Sequence, residues 1–250
     1  GGFVLKGAKA WITNGPDAGS LSLSTCGTLD TVISVYGGCP GNLLNELACN
    51  DDCGGTPCTG PGSCLSVPIA ANQTLKIRVS DKGGPGSAFT LTWALLVPPP
   101  ANDECVGAVV LAGSGTFAFD NRFATPATAT APASLCQASQ SKDVWYQWTS
   151  QGAGSVTVDN CGEAAIDSVI TIYTGTCGTL TEIACDDDTC VTPGLNSTVT
   201  FTAACTTTYY IRISSFGTTV GVVGNFHIAA PGNTDTDGDG TPDCNDACSD

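Results

Sequence analysis

Hydrophobic and polar residues alternate in many short runs along the chain. In residues 75–79, three aliphatic side chains share one face, and Lys76 and Arg78 share the other. This two-residue period is that of a strand with one buried face. Runs rich in Val, Ile, Thr and Tyr recur at residues 156–158, 168–173, 197–201 and 209–213. Turn residues separate the runs and no helical periodicity of useful length occurs, so the pattern predicts an all-β chain of antiparallel sandwiches.

The pattern occurs twice, with the two copies roughly 135 residues apart, and such an internal repeat fixes the architecture. Residues 24–53 correspond to residues 159–190, and residues 75–79 correspond to residues 209–213. Three consecutive prolines cannot take part in a strand ladder and favour an extended spacer. The predicted organisation is a first β-sandwich module at 1–97, a proline linker at 98–101, a second module at 102–231 and a tail at 232–250.

The first copy is incomplete at its N-terminal side. Residues 2–6 are expected to take the place of the strand at 115–119, but nothing in the first copy matches residues 105–111. Two explanations remain open. Either the chain was cut from a longer one, or the first sandwich lacks a strand that a neighbouring subunit supplies through main-chain hydrogen bonds.

Charge and cysteine content restrict the environment and the partners. The net charge is −15 with only eight Lys and Arg residues, which opposes binding to nucleic acid and favours cation binding. No run of about 20 apolar residues is present, so no membrane insertion is expected. Fifteen cysteines predict disulfides and a secreted or cell-surface location, and the chain shows no initiator Met or signal peptide.

The cysteine positions suggest some pairs and leave others open. Cys39 and Cys49 flank one hairpin and Cys177 and Cys185 flank its counterpart, so each pair is predicted to be bonded. A bond between Cys105 and Cys136 would fasten the first strand of the second module to the loop at 123–141. The remaining cysteines form an even set, an odd set and a tail pair, namely Cys26, Cys53, Cys58 and Cys64; Cys161, Cys190 and Cys205; and Cys244 and Cys248.

The second copy resembles a known secreted module. Its segments 102–105, 143–146, 167–173, 186–188 and 209–213 are similar to the repeated β-sandwich of large secreted bacterial proteins, of the pre-peptidase C-terminal and CUB types. The resemblance covers nearly all of the second copy and most of the first. It implies a jelly-roll or CUB-like sandwich, and it says little about function because the module accompanies many different proteins.

The tail carries a dense set of oxygen ligands. Carboxylates recur at alternate positions among glycines, a spacing that can turn several oxygens toward a calcium ion. The segment resembles a thrombospondin type 3 calcium repeat. That resemblance implies four side-chain carboxylate ligands, Asp235, Asp237, Asp239 and Asp243. It also implies a main-chain ligand at Thr241 and one further carboxylate ligand at Asp246. The alternative is a solvated acidic linker.

Each module contains a second acidic set at the ends of a predicted hairpin. Asp30 precedes one strand, and Asn50, Asp51 and Asp52 follow the next. The matching set is Asp167 with Asp186, Asp187 and Asp188. Like charges that converge at one end of a sandwich would be costly without a cation, and CUB-type domains hold calcium at a comparable place. The alternative is that these residues cap turns.

Catalysis finds little support in the sequence. His227 is the only histidine and occupies an outward position of a predicted strand, and no GxSxG, HExxH or phosphate-binding loop occurs. The four tryptophans are more often core residues than sugar platforms. We therefore expect a non-enzymatic module.

The leading functional prediction is a structural subunit of an extracellular assembly or filament, stabilised by disulfides and calcium. Its partners would be neighbouring copies of itself or another extracellular protein. The alternative is an accessory module that attaches a larger secreted enzyme or adhesin to polysaccharide or protein. An exposed row of aromatic side chains would favour the accessory module, whereas buried aromatics and an unpaired N-terminal edge would favour assembly.

Overall fold

The structure is a computed structural model that describes residues 2–6, 9–39, 42–55, 58, 60–82, 88–126, 134–191, 194–217, 220–232 and 244. Contacts divide the chain into two units, Gly1–Pro98 and Pro99–Asp250, and the division falls within the proline run. Seventeen β-strands and one short 3-10 helix account for the regular elements of the described residues. No helix in the described part of the chain is long and apolar enough to cross a membrane.

The first unit contains eight strands in two four-stranded sheets. The sheets have the orders β1-β8-β3-β6 and β2-β7-β4-β5, with all neighbours antiparallel. The strands are β1 (Gly2–Lys6), β2 (Lys9–Thr13), β3 (Gly19–Ser24), β4 (Thr31–Tyr36), β5 (Glu46–Asn50), β6 (Cys64–Ile69), β7 (Thr74–Asp81) and β8 (Ala88–Leu96).

The second unit repeats this order and adds a strand. Its sheets are β10-β17-β12-β15 and β14-β13-β16-β11-β9, and β9 is parallel to β11. The elements are the 3-10 helix Cys105–Gly107, β9 (Val109–Leu111), β10 (Gly115–Asp120), β11 (Gln140–Thr149), β12 (Gly154–Asp159), β13 (Ser168–Thr174), β14 (Thr181–Asp186), β15 (Thr198–Ala203), β16 (Thr208–Phe216) and β17 (Val223–Ala229). The prediction of an all-β, disulfide-rich sandwich is confirmed.

Alternate side chains of the strands point inward and form the core of each unit. In β7, Leu75, Ile77 and Val79 are buried, while Arg78 is exposed. In β16, by contrast, both faces are buried, so the expectation of a half-buried strand is wrong for residues 209–213, although it holds for residues 75–79. Arg212 lies in the buried set together with Tyr209, Ile211 and Ile213. A second layer of chain therefore covers the outer face of this sheet in the second unit.

The disulfides differ from the predicted pairs. The structure links Cys105 to Cys177 and Cys136 to Cys185, so the predicted bonds Cys105–Cys136 and Cys177–Cys185 are wrong. Thr174 pairs with Thr181 at the end of the β13–β14 hairpin, and Cys185 lies four residues further along β14. At about 3.3 Å per residue, Cys185 is too far from the turn to meet the limit of about 7 Å between bonded Cα atoms.

The same hairpin geometry applies in the first unit. Cys39 follows β4 in the turn, whereas Cys49 lies beside Ser34 within the β4–β5 ladder. The predicted Cys39–Cys49 bond is therefore also wrong, and both cysteines are exposed free thiols. The other four bonds are Cys26–Cys58, Cys53–Cys64, Cys161–Cys190 and Cys205–Cys244.

Candidate metal centres

The structure brings each predicted acidic set of the modules together. Asp167 immediately precedes β13, and Asp187 and Asp188 immediately follow β14. Because β13 and β14 are antiparallel neighbours, the start of one and the end of the other lie at the same end of the sheet. One carboxylate oxygen from each of the three residues lies within 4.8 Å of the others. We call this set the second trio.

The first unit contains the equivalent arrangement. Asp30 precedes β4, and Asp51 and Asp52 follow β5, with their carboxylate oxygens again within 4.8 Å of one another. We call this set the first trio. The backbone N–H of Lys82 donates to the carbonyl of Asp30 at 2.9 Å, and Phe216 donates to Asp167 at 2.8 Å in the second unit. The two trios therefore occupy matching places in the two sandwiches.

Hydrogen bonds satisfy only part of the second trio. Gln137 Nε2 donates to Asp187 Oδ2 at 2.7 Å, while Asp167 Oδ1 and Asp187 Oδ1 are buried and have no hydrogen-bond partner. The neighbouring Asp186 has a different role, because its carboxylate accepts from the backbone N–H of Thr198 at 2.8 Å and from Thr189. Asp186 thus caps a turn, as the alternative interpretation expected, whereas the trio residues keep oxygens available for a ligand.

Burial and electrostatic repulsion disfavour the charged forms of two members of the second trio, Asp167 and Asp188. Burial raises the pKa of Asp167, and the nearby charges of Asp188 and Asp187 raise it further. The pKa of Asp188 is raised first by burial and then by Asp187 and Asp186. Asp188 also has a φ of 123°, a backbone conformation that few residues other than glycine adopt. The folded chain therefore holds three carboxylates together at a cost.

The first trio differs by the presence of a lysine. Asp30 Oδ1 and Asp51 Oδ1 are buried without a hydrogen-bond partner, but the ammonium group of Lys82 forms an ion pair with Asp51. Asn50 takes the place of Asp186 and accepts from the backbone N–H of Cys64 at 3.0 Å.

Two charged residues near the first trio were not predicted from the sequence. Lys82 and Asp81 lie at the end of β7, far along the chain from the β4–β5 hairpin, and β7 joins them to the site because Thr31 pairs with Asp81. The sequence feature that could have indicated them is the pair of charged residues at 81–82, where a buried strand ends. The second unit has Ser215 and Phe216 in the corresponding register.

The donor atoms of both trios fit a hard cation. Three carboxylates can offer up to about six oxygens, and calcium takes six to eight oxygen ligands at about 2.3–2.6 Å. The trios contain neither imidazole nor thiolate, the donors typical of zinc sites. The buried oxygens without partners are the atoms that a cation would contact.

The predicted tail site lies outside the described residues. This holds for all six of its ligands, Asp235, Asp237, Asp239, Thr241, Asp243 and Asp246. Cys244 is described, and its disulfide to Cys205 attaches the tail to the second unit.

The comparisons with known proteins give one family match. The family model GBD_T9SS_assoc, described as galactose binding domain-like, matches residues 101–228, just over half of the chain. No curated protein matches.

Solved structures match over most of the chain at low similarity. The PBSX exported protein XepA is 10% identical, with a TM-score of 0.23, and the match covers 91% of this chain and 86% of that one. The CUB1-EGF-CUB2 domain of human MASP-1/3 is 9% identical, with a TM-score of 0.26 and coverage of 92% and 99%. Tripeptidyl peptidase 2 is 10% identical, with a TM-score of 0.25 and coverage of 90% and 22%.

The family match agrees with the β-sandwich observed in the second unit. Six disulfides and the T9SS association of the family indicate an extracellular or cell-surface protein. Through residues 101–228, the chain belongs to the galactose binding domain-like family associated with T9SS.

Proposed function

We propose that the chain is a non-catalytic, calcium-binding structural module of an extracellular assembly. The observation that carries the proposal is the same carboxylate trio at the same end of both sandwiches, each with buried oxygens that lack a hydrogen-bond partner. A solvated acidic surface would not bury such atoms, because an unpaired polar group costs free energy when it leaves water. A bound calcium ion would supply the missing partner and neutralise the repulsion between the carboxylates.

The position of the trios suggests what calcium would do. Each trio joins the start of one central strand to the loop after its neighbour, and a disulfide closes that loop nearby, Cys53–Cys64 in the first unit and Cys161–Cys190 in the second. Calcium would therefore hold one end of each sandwich rigid. Rigidity of this kind suits a load-bearing or polymer-forming protein.

The distribution of aromatic residues favours assembly over a sugar platform. Trp145 and Trp148 are 0% and 1% exposed, and Trp11 is the one aromatic residue among the exposed large apolar side chains of the described residues. A row of exposed rings is thus not formed in the described part of the chain. The strand β2 also forms the edge of its sheet, and the equivalent strand β11 is paired there with β9.

A non-catalytic role agrees with the surroundings of His227. Its Nδ1 lies 2.8 Å from Thr116 Oγ1, and its Nε2 lies 3.6 Å from Glu163 Oε1. All three side chains lie on the solvent side of the sheet and are at least one-third exposed. We interpret the group as a surface polar contact.

Calcium binding is tested by titration calorimetry of the chelator-treated protein. We expect the wild type to bind calcium with a rise in melting temperature, and the double variant Asp51→Asn/Asp187→Asn to lose both effects at the trios. Asp159→Asn is the matched control, because it removes an acid from β12 outside the trio. Equal calcium binding by the wild type and the double variant would overturn the trio sites.

The tail is tested separately. Asp237→Asn/Asp239→Asn should remove calcium from the tail and leave the trios unaffected, so the three predicted sites can be distinguished by the number of ions lost. Resistance of the segment to protease that does not change on chelation would contradict calcium binding by the tail.

The assembly role is tested by electron microscopy of the protein with calcium and with chelator. Ordered filaments that loosen on chelation would support it. Single dispersed particles in both conditions would contradict it and leave calcium binding as a separate result.

A second candidate function is attachment to carbohydrate, and the description of the family as galactose binding domain-like favours it. A glycan-binding screen with wild type and Trp11→Ala would test this role. Binding that is lost in the variant would make the first unit a carbohydrate-recognition module.

A further inference from the structure

The outer face of the sheet β2-β7-β4-β5 lies open in the first unit. It contains a cleft of about 420 Å³ lined by residues of β2 and β7 together with Tyr36 and Cys39. Trp11 is 61% exposed, and the thiols of Cys39 and Cys49 are exposed as well. We call this surface the open face. Tyr36 is buried within it at 6% exposure, and the residues on which the argument depends are Lys9, Trp11, Cys39, Cys49, Lys76 and Arg78.

Strand register identifies the equivalent residues in the second unit. Ser34 lies between Cys49 and Arg78 in the first unit, and Thr171 lies between Cys185 and Arg212 in the second. Cys49 therefore corresponds to Cys185. Tyr36 and Tyr173 likewise correspond, because each forms the last pair of its ladder with the next strand, Tyr36 with Lys76 and Tyr173 with Tyr210. Cys39 and Cys177 follow them in the turn.

The equivalent face of the second unit is buried. Thr171, Tyr173 and Trp145 are each 0% exposed, and Arg212 is 5% exposed. Arg212 forms an ion pair with Asp143 at 3.0 Å and lies over the Trp145 ring. The equivalents of Trp145 and Arg212 in the first unit, Lys9 and Arg78, are exposed, whereas Tyr36 is buried as Tyr173 is.

The cover consists of two described stretches of chain, residues 101–111 and 134–140. Asn102 accepts from the backbone N–H of Trp145 at 2.9 Å, and Ser134 accepts from Thr171 Oγ1 at 3.3 Å. The backbone N–H of Leu135 donates to Glu182 at 3.0 Å. Two disulfides fasten these stretches to the face, Cys105–Cys177 in the first and Cys136–Cys185 in the second.

The two thiols of the open face correspond to the two cysteines that hold the cover in place. They cannot bond to each other because the hairpin keeps them apart. Of the fifteen cysteines of the chain, twelve form the six disulfides of the described residues. Besides Cys39 and Cys49, one cysteine of the given sequence remains, Cys248, which lies outside the described residues, and one thiol cannot serve two partners.

The charges of the open face indicate a further property of a matching cover. Lys9, Lys76 and Arg78 lie on it, three of the eight basic residues of a strongly acidic chain. Residues 1–8 contain no acid, so these eight residues offer Arg78 no equivalent of Asp143. A cover with a carboxylate near its second cysteine would provide that counter-charge.

We propose that the open face binds an extended, acidic polypeptide segment that carries two cysteines and forms disulfides with Cys39 and Cys49. The segment lies across the face as residues 101–111 and 134–140 do in the second unit, and its strand adds to the free edge of β2. This inference names the partner contact of the proposed assembly, and in that respect it rests on the proposed function.

The bonds form by thiol–disulfide exchange with a small disulfide such as oxidised glutathione as the oxidant. The thiolate of Cys39 attacks glutathione disulfide, forming a mixed disulfide and releasing one glutathione thiolate. A thiolate of the segment then attacks the protein sulfur and releases the second glutathione. Each new bond therefore consumes one glutathione disulfide and yields two reduced glutathione molecules, and Cys49 reacts in the same way.

The test uses the whole protein and a synthetic peptide with the sequence of residues 99–143, in a buffer of reduced and oxidised glutathione. We expect a one-to-one covalent adduct whose peptide map links Cys39 to peptide Cys105 and Cys49 to peptide Cys136. Docking raises the effective concentration of the thiols, so the adduct should exceed that of a scrambled peptide with cysteines at the same positions by about tenfold or more.

Variants separate docking from simple thiol reactivity. Arg78→Ala should lower the yield of the adduct several-fold, whereas Arg122→Ala, in the second unit, should not change it. The peptide with both cysteines replaced by serine should still quench or shift the fluorescence of Trp11, relative to a Trp11→Phe control.

Three outcomes would overturn the proposal. They are equal reaction of the true and scrambled peptides, a Cys39–Cys49 bond, and bonding of these thiols to a second copy of the chain in place of the peptide. These readouts do not depend on calcium or filaments. Failure of the peptide to bond would leave the calcium and microscopy results intact, and absence of filaments would leave the peptide adduct intact.

Discussion

Lys82 forms an ion pair with Asp51 in the first trio, and the second trio has no lysine at the matching place. Asp51 holds the pKa of the Lys82 ammonium group above its usual value, mainly through their hydrogen bond. The lysine therefore competes with a bound cation for the same carboxylate. The two sites should differ in calcium affinity, with the tighter site in the second unit.

Replacing Lys82 tests this competition. In a protein whose second trio is disabled by Asp187→Asn, Lys82→Met should tighten calcium binding at the first trio several-fold. Titration calorimetry measures the change, and Lys9→Met removes the same charge far from the trio as a control. An unchanged affinity in Lys82→Met, or an equal gain in Lys9→Met, would mean that the ion pair does not compete.

The trios show how far the sequence could predict a site. Asp30, Asp51 and Asp52 could be placed together because a hairpin necessarily brings the start of one strand and the end of the next to the same end. Lys82 could not be added, because its position depends on which distant strand pairs with β4. The spacing of residues along the chain therefore predicts which residues a hairpin brings together, but it does not predict that Lys82 lies beside them.

The pairing of the disulfides and the position of the cover could not be predicted from the sequence. The four cysteines 105, 136, 177 and 185 were identified, but their pairing depends on how far each lies along a ladder. Residues 123–141 are rich in Ala, Thr, Pro and Ser and predicted a surface loop. The part from Ser134 onward instead lies on the sheet, where Ser134 contacts the buried Thr171, and no periodicity in it predicts that contact.

Removing one charge from the second trio should stabilise the calcium-free protein. With chelator present, Asp187→Asn should raise the melting temperature by about 2–4 °C, the shift expected for about 1 kcal/mol in a unit of this size. The amide oxygen can still accept from Gln137. With calcium present, the same variant should melt below the wild type, because it loses the ligand. Differential scanning calorimetry in both conditions would contradict the trio site if the order of stability did not reverse.

The calcium-free protein should also lose stability from this site as the pH rises. The pKa values of Asp167 and Asp188 are raised, so the folded state binds protons there more tightly than the unfolded chain does. Their contribution is greatest below the ordinary pKa of 3.8 and decreases as pH rises through the raised values. Urea unfolding from about pH 4 to about pH 7 should show a smaller decrease in Asp187→Asn than in the wild type, and saturating calcium should remove the decrease in the wild type.

Breaking the buried ion pair under the cover should be strongly destabilising. Asp143→Ala leaves the Arg212 guanidinium buried and without its carboxylate, at a cost of about 3–5 kcal/mol. The control is Asp120→Ala, which breaks the half-exposed pair with Arg122 and should cost at most about 1 kcal/mol. Urea unfolding measures both, and equal losses would mean that the Arg212 pair is not the buried anchor described here.

A double cysteine variant distinguishes the disulfide pairs of the structure from the pairs predicted from the sequence. The double variant Cys105→Ser/Cys177→Ser removes one complete bond and should create no new thiol, because Cys136 and Cys185 remain bonded to each other. Under the sequence-predicted pairs, the same variant would expose two additional thiols. The bond spans 72 residues, so its loss should lower the free energy of unfolding by about 4 kcal/mol on the loop-closure estimate. Thiol titration of the denatured, unreduced protein decides the pairing, and urea unfolding gives the energy. Two extra thiols would mean that Cys105 is bonded to Cys136. The comparison between the cover of the second unit and the open face of the first unit would then no longer hold.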